Sequence, residues 1–527
     1  MAKEAKKRVK VRKTAQQRAA KSQKRGNKKK ACSKDYDWKG YTRNQQEVAK
    51  RIGAGDYEMI TGTGWGFLDG FFIFLFSIGY FSSLEVEGSG FERIMIPLAK
   101  LFITYEMKIL LGIQSVNKIA GYLFRDTALL MIIGFTAKQI KEGFCDRDRG
   151  KREGPMNSQT LAEALGRLSA KEAGYVLDKS IEILCKKGFI QAGTFIIDST
   201  DLLTTEKCEG AGRRTIMEQK RDKDGNLVEI PKTEYGFKLI IVKELQSRVV
   251  VAAKLVKIQE HECPYTLELV QKALKNMGKK ARINILLMDR GFLDGLTLWK
   301  LKHKLGIDWI VPAKTNLQIT QDMRGLREAK DNESIYREQD AKDKIRVVGV
   351  AGLLSYDQYG DEEHQKKINR KDFKANPVNA VMVTRWKGED YEPGKEKVFL
   401  TSLSVEQPFQ IIKKYSLRCL IENLAFRELK QGWLLKAYPK KTENAVRAHV
   451  FLTLAMFSAT NCYRSSLGQK LAEKGIRRWR ADNLMTIHKV VIFAGEYYGV
   501  FDIEEVMTLV GKPPKHLLRT DPLKLNV

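Results

Sequence analysis

The sequence predicts an α/β protein: a mixed sheet flanked by helices, carrying a β-rich insertion and preceded by an all-helical N-terminal domain. Three observations predict it. From about 46 to 190 apolar residues recur at three- and four-residue spacing, as in Pro97-Leu-Ala-Lys-Leu-Phe-Ile-Thr-Tyr-Glu-Met-Lys-Ile-Leu-Leu111, the period of helices with a buried face. After 190 the pattern shifts to short apolar runs rich in β-branched residues, with helical stretches between the later ones. Residues 315–405 are strand-like with charged loops, and helices then resume.

Taken in order, residues 1–45 form a basic arm with seventeen Lys or Arg against three acids. The arm has almost no large apolar residue before Tyr36, so it is expected to be disordered when free. Residues 46–190 are expected to be a helical DNA-binding or accessory domain, with Ser158 capping one amphipathic helix and a charged linker at 146–155. Residues 191–314 begin the α/β core. Strands are expected at 194–198, 236–243, 248–254 and 283–288, and helices at 265–277 and 292–304. The hairpin-like spacing of the two middle strands makes the sheet mixed. Residues 315–405 are the β insertion and 406–468 the second part of the core, with one long amphipathic helix from Thr442 to Arg464. Residues 469–527 form a basic or accessory segment containing Gly475-Ile-Arg-Arg-Trp-Arg480 and Lys489-Val-Val-Ile-Phe493.

Composition narrows the partners. A chain of 527 residues with 43% hydrophobic content has material for about two or three domains. Its formal charge of +30 destabilises a compact state unless a polyanion neutralises it, which points to nucleic acid. Seven cysteines lie scattered without a CxxC pair, against a disulfide framework or structural zinc. With no secretory signal, a reducing cytoplasm is the expected compartment. The apolar stretch Gly70–Phe81 lies between Asp69 and Glu85 and is shorter than the ~20 residues a spanning helix needs. It is read as a buried helix, and no membrane role is expected.

The chemistry concentrates in three segments. Tyr415-Ser-Leu-Arg418-Cys-Leu-Ile-Glu422 places a phenol, a guanidinium and a carboxylate at i, i+3 and i+7, on one helical face. Such a carboxylate can hold a divalent metal while Arg418 and Tyr415 grip phosphates. Phe195-Ile-Ile-Asp198 and Ile283-Asn-Ile-Leu-Leu-Met-Asp289 each end an apolar run in an Asp, the pattern of a buried strand delivering an acid to a sheet edge. Asp198, Asp289 and Glu422 read together as a triad for two-metal phosphoryl transfer. Plainer readings stand beside this one. Asp198 could cap a turn with Ser199 and Thr200, Asp201 could be the ligand in its place, and Asp289 could be a turn residue before Gly291. His261 and Cys263 lack a second pair at ligand spacing.

These residues resemble those of bacterial insertion-sequence DDE transposases of the IS-four type. In that family the third acid lies in a Tyr-x2-Arg-x3-Glu-x6-Lys signature, after a β insertion in an RNase H-like domain. Tyr415, Arg418 and Glu422 match it. Leu429 stands at the Lys position and Lys430 comes one residue late, a shift that a bulged turn between Asn423 and Glu428 would absorb. The resemblance covers roughly 190–465. It implies an RNase H-like core and a metal-dependent enzyme that cuts the ends of its own element and joins them to target DNA. It also implies Asp198, Asp289 and Glu422 as ligands of Mg2+, with Mn2+ as the substitute, and Tyr415, Arg418 and Lys430 as DNA contacts. A homodimer on DNA, associated with the nucleoid, is implied too. Trp386 is the candidate for stacking on a flipped base, with packing against the sheet as its plainer role. Two alternatives are a nuclease of the same fold without strand transfer and a catalytically silent DNA-binding descendant.

Overall fold

The computed structural model describes residues 41–92, 94–144, 154–221, 227–327, 333–337, 343–368, 374–387, 396–468, 475–484 and 489–510. The basic arm up to residue 40, most of the 146–155 linker, and Cys32 and Cys145 lie outside the described residues.

The chain begins with β1 (Thr42–Arg43), α1 (Gln45–Gly53) and β2 (Met59–Thr63). Asn44 caps α1 by accepting the Glu47 N–H. Three of the helices that follow are α2 (Asp69–Ile78), α3 (Leu98–Leu110) and α4 (Gln159–Arg167), and α5 (Ala170–Lys186) closes the segment. The Gly70–Phe81 run is mostly α2, ended by Gly79 in the left-handed region at φ 75°. No helix among the described residues is long and apolar enough to cross a membrane. Ser158 makes no capping bond; Asn157 accepts the Gln159 N–H in its place, at 2.9 Å. Ser169 caps α5 in a reciprocal box with Glu172.

The helix α3 was expected to bury one face, yet all thirteen of its residues are buried. Its polar side chains are accommodated inside. Lys100 donates to Gln139 at 2.7 Å, and the Tyr80 hydroxyl donates to Glu106 at 2.8 Å. Burial pushes the Glu106 carboxyl up to about 8.

The main sheet starts with β3 (Gly193–Thr204), β4 (Gly212–Arg221), β5 (Leu227–Glu244) and β6 (Val250–Lys257). α6 (Thr266–Met277) crosses to β7 (Ile283–Met288), and α7 (Gly295–Leu305) crosses to β8 (Asp308–Pro312). β3, β5 and β6 form an antiparallel meander, and β7 and β8 continue the sheet parallel to β3. Three antiparallel strands followed by two parallel ones, with a helix in each late crossover, is the RNase H-like arrangement. The first half of β5 pairs only with β4, as a ribbon leaving the sheet.

The β-rich insertion joins this sheet. Its strands are β9 (Glu333–Arg337), β10 (Asp343–Leu353), β11 (Val378–Lys387) and β12 (Lys397–Thr401), and β12 pairs antiparallel with β8. The result is a ten-stranded sheet. Then come α8 (Pro408–Ser416), α9 (Cys419–Ile421), a π-helical turn (Glu422–Phe426), α10 (Arg427–Gln431), α11 (Glu443–Ser466) and α12 (Ile476–Leu484). α11 was expected to be amphipathic. It is buried on nearly every side, because it runs between β6 and the N-terminal helices α3, α4 and α5. One continuous core therefore joins those helices to the sheet, so the boundary expected at 190 separates kinds of element and does not separate cores.

The all-helical reading of the N-terminal segment needs one amendment. β1 and β2 pair with β13 (Lys489–Ala494) and β14 (Tyr497–Phe501), in the order β1-β14-β13-β2. Their partners lie more than 400 positions away, so no local pattern announces them. Val48, Ile52, Ile60, Val490, Ile492 and Phe501 form a small separate core beneath this sheet. Ile492→Asp would bury a charge there, and amide exchange across 45–63 should rise by roughly tenfold or more. Exchange in β3 should stay unchanged in the same mass-spectrometric experiment. Equal protection of 45–63 in both proteins would show that the two chain ends do not depend on each other.

Candidate active site

The register Ile197↔Met288 between parallel strands β3 and β7 sets Asp198 beside Asp289. Asp289 is the first residue past the end of β7, whereas β3 runs on to Thr204. No turn follows Asp198, so the capping alternative fails. Its side chain is largely buried. One oxygen accepts the Ser199 N–H at 2.7 Å and the other accepts Arg418 Nη1 at 2.8 Å. Asp201 is of the opposite strand parity, and Arg214 on β4 holds it at 2.6 Å while also binding Glu234 at 2.8 Å.

Asp289 opens a short 3-10 turn, Arg290–Phe292, and its side chain makes no capping bond. Gly291 lies close against Glu262: a Cβ there would come within 2.5 Å of Glu262 Oε1, so that side chain would have to shift. Lys238 on β5 binds Glu262 at 2.7 Å, so the backbone that carries Asp289 rests against a fixed ion pair.

The third acid arrives on the helical path from α8 through the π turn. Tyr415 packs on Phe399 of β12 at 4.6 Å between ring centroids. The Arg418 guanidinium lies 5.9 Å from the Tyr415 ring centre. Arg418 Nη2 is 3.8 Å from Asp289 Oδ1 and 3.7 Å from Glu422 Oε1. All three acids thus face one partly buried guanidinium, with Glu422 the most exposed at 64%. Burial pushes the Tyr415 phenol up to about 12, with Arg418 opposing the shift.

The bulged turn expected before Lys430 is present as the π turn Glu422–Phe426. A regular helix advances 100° per residue, so the seventh residue after Glu422 would share its face. The wide turn takes up one extra residue. Leu429 is accordingly buried at 0% exposure, and Lys430 donates its ammonium to the Thr200 hydroxyl. Thr200 lies two residues beyond Asp198 and hence on the same face of β3. Partial burial, then the charge of Lys436, lowers the Lys430 pKa, with Asp201 opposing.

Trp386 lies on β11 opposite Lys344 and is only 8% exposed. It is packed in the sheet, the plainer of its two roles. His261 accepts the Cys263 N–H and joins no ligand set. Sequence reasoning missed Glu428, one carboxylate oxygen of which receives the Trp433 indole N–H at 3.3 Å, Arg464 Nη2 at 3.3 Å and the Ile476 N–H at 3.0 Å. Trp433 is five residues away, but Arg464 and Ile476 are 36 and 48 residues away, so no local signal could have disclosed the full set. The partner of Lys430 was more accessible, since strand alternation alone aligns Thr200 with Asp198.

Three carboxylates are the hard oxygen donors that suit Mg2+ or Mn2+. Among the described residues no three His, Cys, Asp or Glu side chains are grouped so as to hold a metal ion; the three acids surround Arg418 instead.

Burial pushes the Asp198 carboxyl up to about 6, with Arg418 and the Ser199 N–H opposing, and the neighbouring Asp289 and Glu422 charges adding to the rise. A carboxyl whose folded pKa is raised binds protons more tightly in the folded state. Its stabilising contribution is full below the ordinary carboxylate range and is lost as pH rises to about 6. Asp198→Asn removes that loss and should raise stability above pH ~6 by on the order of 1 kcal/mol. Melting temperatures across a pH series check this, and a variant less stable at alkaline pH would show that the Arg418 ion pair outweighs burial.

No curated protein matches the chain. Among solved structures, a cryo-EM structure of a piggyBac transposase synaptic complex with hairpin DNA is similar at 10% identity and a TM-score of 0.36. That match covers 81% of this chain and 73% of the other. The family model described as a transposase DDE domain matches residues 191–458, more than half of the chain. The chain therefore belongs to the DDE transposase family.

Proposed function

We propose that this DDE transposase cuts the ends of its own element and joins them to target DNA, using Asp198, Asp289 and Glu422 as ligands for two divalent ions. The observation that carries the proposal is the convergence of these three carboxylates on Arg418, at 2.8, 3.8 and 3.7 Å. Mg2+ is the expected ion and Mn2+ its substitute. Bound there, the ions would activate the attacking oxygen and stabilise the departing one during in-line displacement.

The protein's own residues do the rest. A water oxygen, or a 3′-hydroxyl oxygen in the joining step, forms the new bond to phosphorus and loses its proton. The bond to the departing 3′-oxygen breaks, or to the 5′-side target strand's 3′-oxygen in joining, and that oxygen gains a proton. Arg418 and Lys430 donate to phosphate oxygens, and their charge offsets that building up on the transferring group. The Tyr415 hydroxyl, held protonated by burial, is a neutral donor beside them. The similarity to the IS-four type and action as a homodimer belong to the same proposal.

Asp198→Ala, Asp289→Ala and Glu422→Ala should each reduce Mg2+-dependent cleavage of element ends by roughly 10^3-fold or more, because parts of one site fail together. DNA affinity measured without metal should fall little. Strand cleavage with no joined product would favour the nuclease alternative, and metal-independent binding with no product would favour the silent descendant. Lys430→Ala should weaken DNA binding and lower the slope of log affinity against log salt by about one. An unchanged slope in an anisotropy titration would remove Lys430 from the phosphate contacts.

A further inference from the structure

We propose that Arg418 is the resident counter-cation of the acid cluster, and that it moves to a DNA phosphate only when divalent ions take over the carboxylates. Binding of ions and binding of DNA are then coupled through one side chain. The inference rests on the metal-site reading of the proposed function.

The geometry supports this exchange. Arg418 is 15% exposed and lies among three acids brought from β3, the end of β7 and the π turn. Only the Asp198 contact is hydrogen-bond length. The other two, at 3.8 and 3.7 Å, are held by charge alone. The buried Nε has no hydrogen-bond partner among the described residues, so the guanidinium is incompletely satisfied where it sits. Its long stem lets it leave without moving the backbone.

Formal charge gives the direction. Three carboxylates and one guanidinium leave the cluster two charges negative, which attracts divalent ions. Two such ions bring four positive charges against three carboxylates. The guanidinium then faces a net positive centre and is driven outward. A phosphodiester is the anion that both the ions and the displaced guanidinium can share.

The test measures Mn2+ affinity of the DNA-free protein by calorimetry, a readout independent of catalysis. Arg418→Gln should bind Mn2+ about tenfold more tightly than wild type, the scale of losing one competing charge-assisted hydrogen bond. Arg418→Lys, which keeps the charge but cannot span three acids, should fall between them. Lys430→Gln removes an equal charge beside the site and should change Mn2+ affinity much less. In the second measurement, Ca2+, which takes the same oxygen donors, should strengthen binding of a short duplex to wild type and lose that effect in Arg418→Gln. Mn2+ affinity that is unchanged or weaker in Arg418→Gln overturns the inference, as does equal tightening in Lys430→Gln. If Asp198→Asn leaves Mn2+ binding unaltered, the metal-site reading itself falls, and the inference falls with it.

Discussion

The parallel pairing of β3 with β7 is the constraint on which the site depends. Two parallel neighbours cannot be joined by a tight turn, and the 78 residues between Thr204 and Ile283 include β5, β6 and the crossover helix α6. That detour places Asp198 and Asp289 side by side at the point where β7 stops and β3 continues. Acids are affordable there because β7 ends and leaves room above the sheet. The third acid has to come from outside the sheet. The insertion strands carry the chain from β8 through β9, β10, β11 and β12 and back against β8, and α8 then packs on β10 and β11, with Tyr415 against Phe399 of β12.

Glu428 binds α10 to Trp433, to Arg464 of α11 and to the start of α12. Lys430 is two residues away. A carboxylate that satisfies three donors in a dry setting is strongly disfavoured from moving, since each abandoned donor costs about 1–3 kcal/mol. The rigid hub and the π turn sit at the two ends of a short stretch. Together they fix which face of the helix meets Thr200 and Asp198, a placement that neither would secure alone.

The N-terminal helices are part of the same body. They share the core with the sheet through α11, whose His449 ring contacts Tyr105 of α3 at 2.8 Å and the Leu434 carbonyl at 3.1 Å. Burial drives that imidazole down to about 3, so it remains neutral and structural. The small sheet adds another tie, because β13 joins β2 and β14 joins β1. Whatever the N-terminal segment touches is thereby held in a set relation to the acids.

Much of this was legible from local chemistry. Period and β-branched content located β3, the second half of β5, β6, β7, α6 and α7, since backbone preferences and burial alternate within a few residues. The spacing of Tyr415, Arg418 and Glu422 marked a helical face, and the mismatch at Leu429 pointed to a bulge. Tertiary structure decided what no window of sequence contains. It brought Asp198, Asp289 and Glu422 to one guanidinium, buried Trp386, paired β2 with a strand more than 400 residues later, enclosed α3 completely and enclosed α11 on nearly every side. The reason is physical: local pattern records which side of an element prefers to leave water, while partner identity depends on where the rest of the chain closes around it.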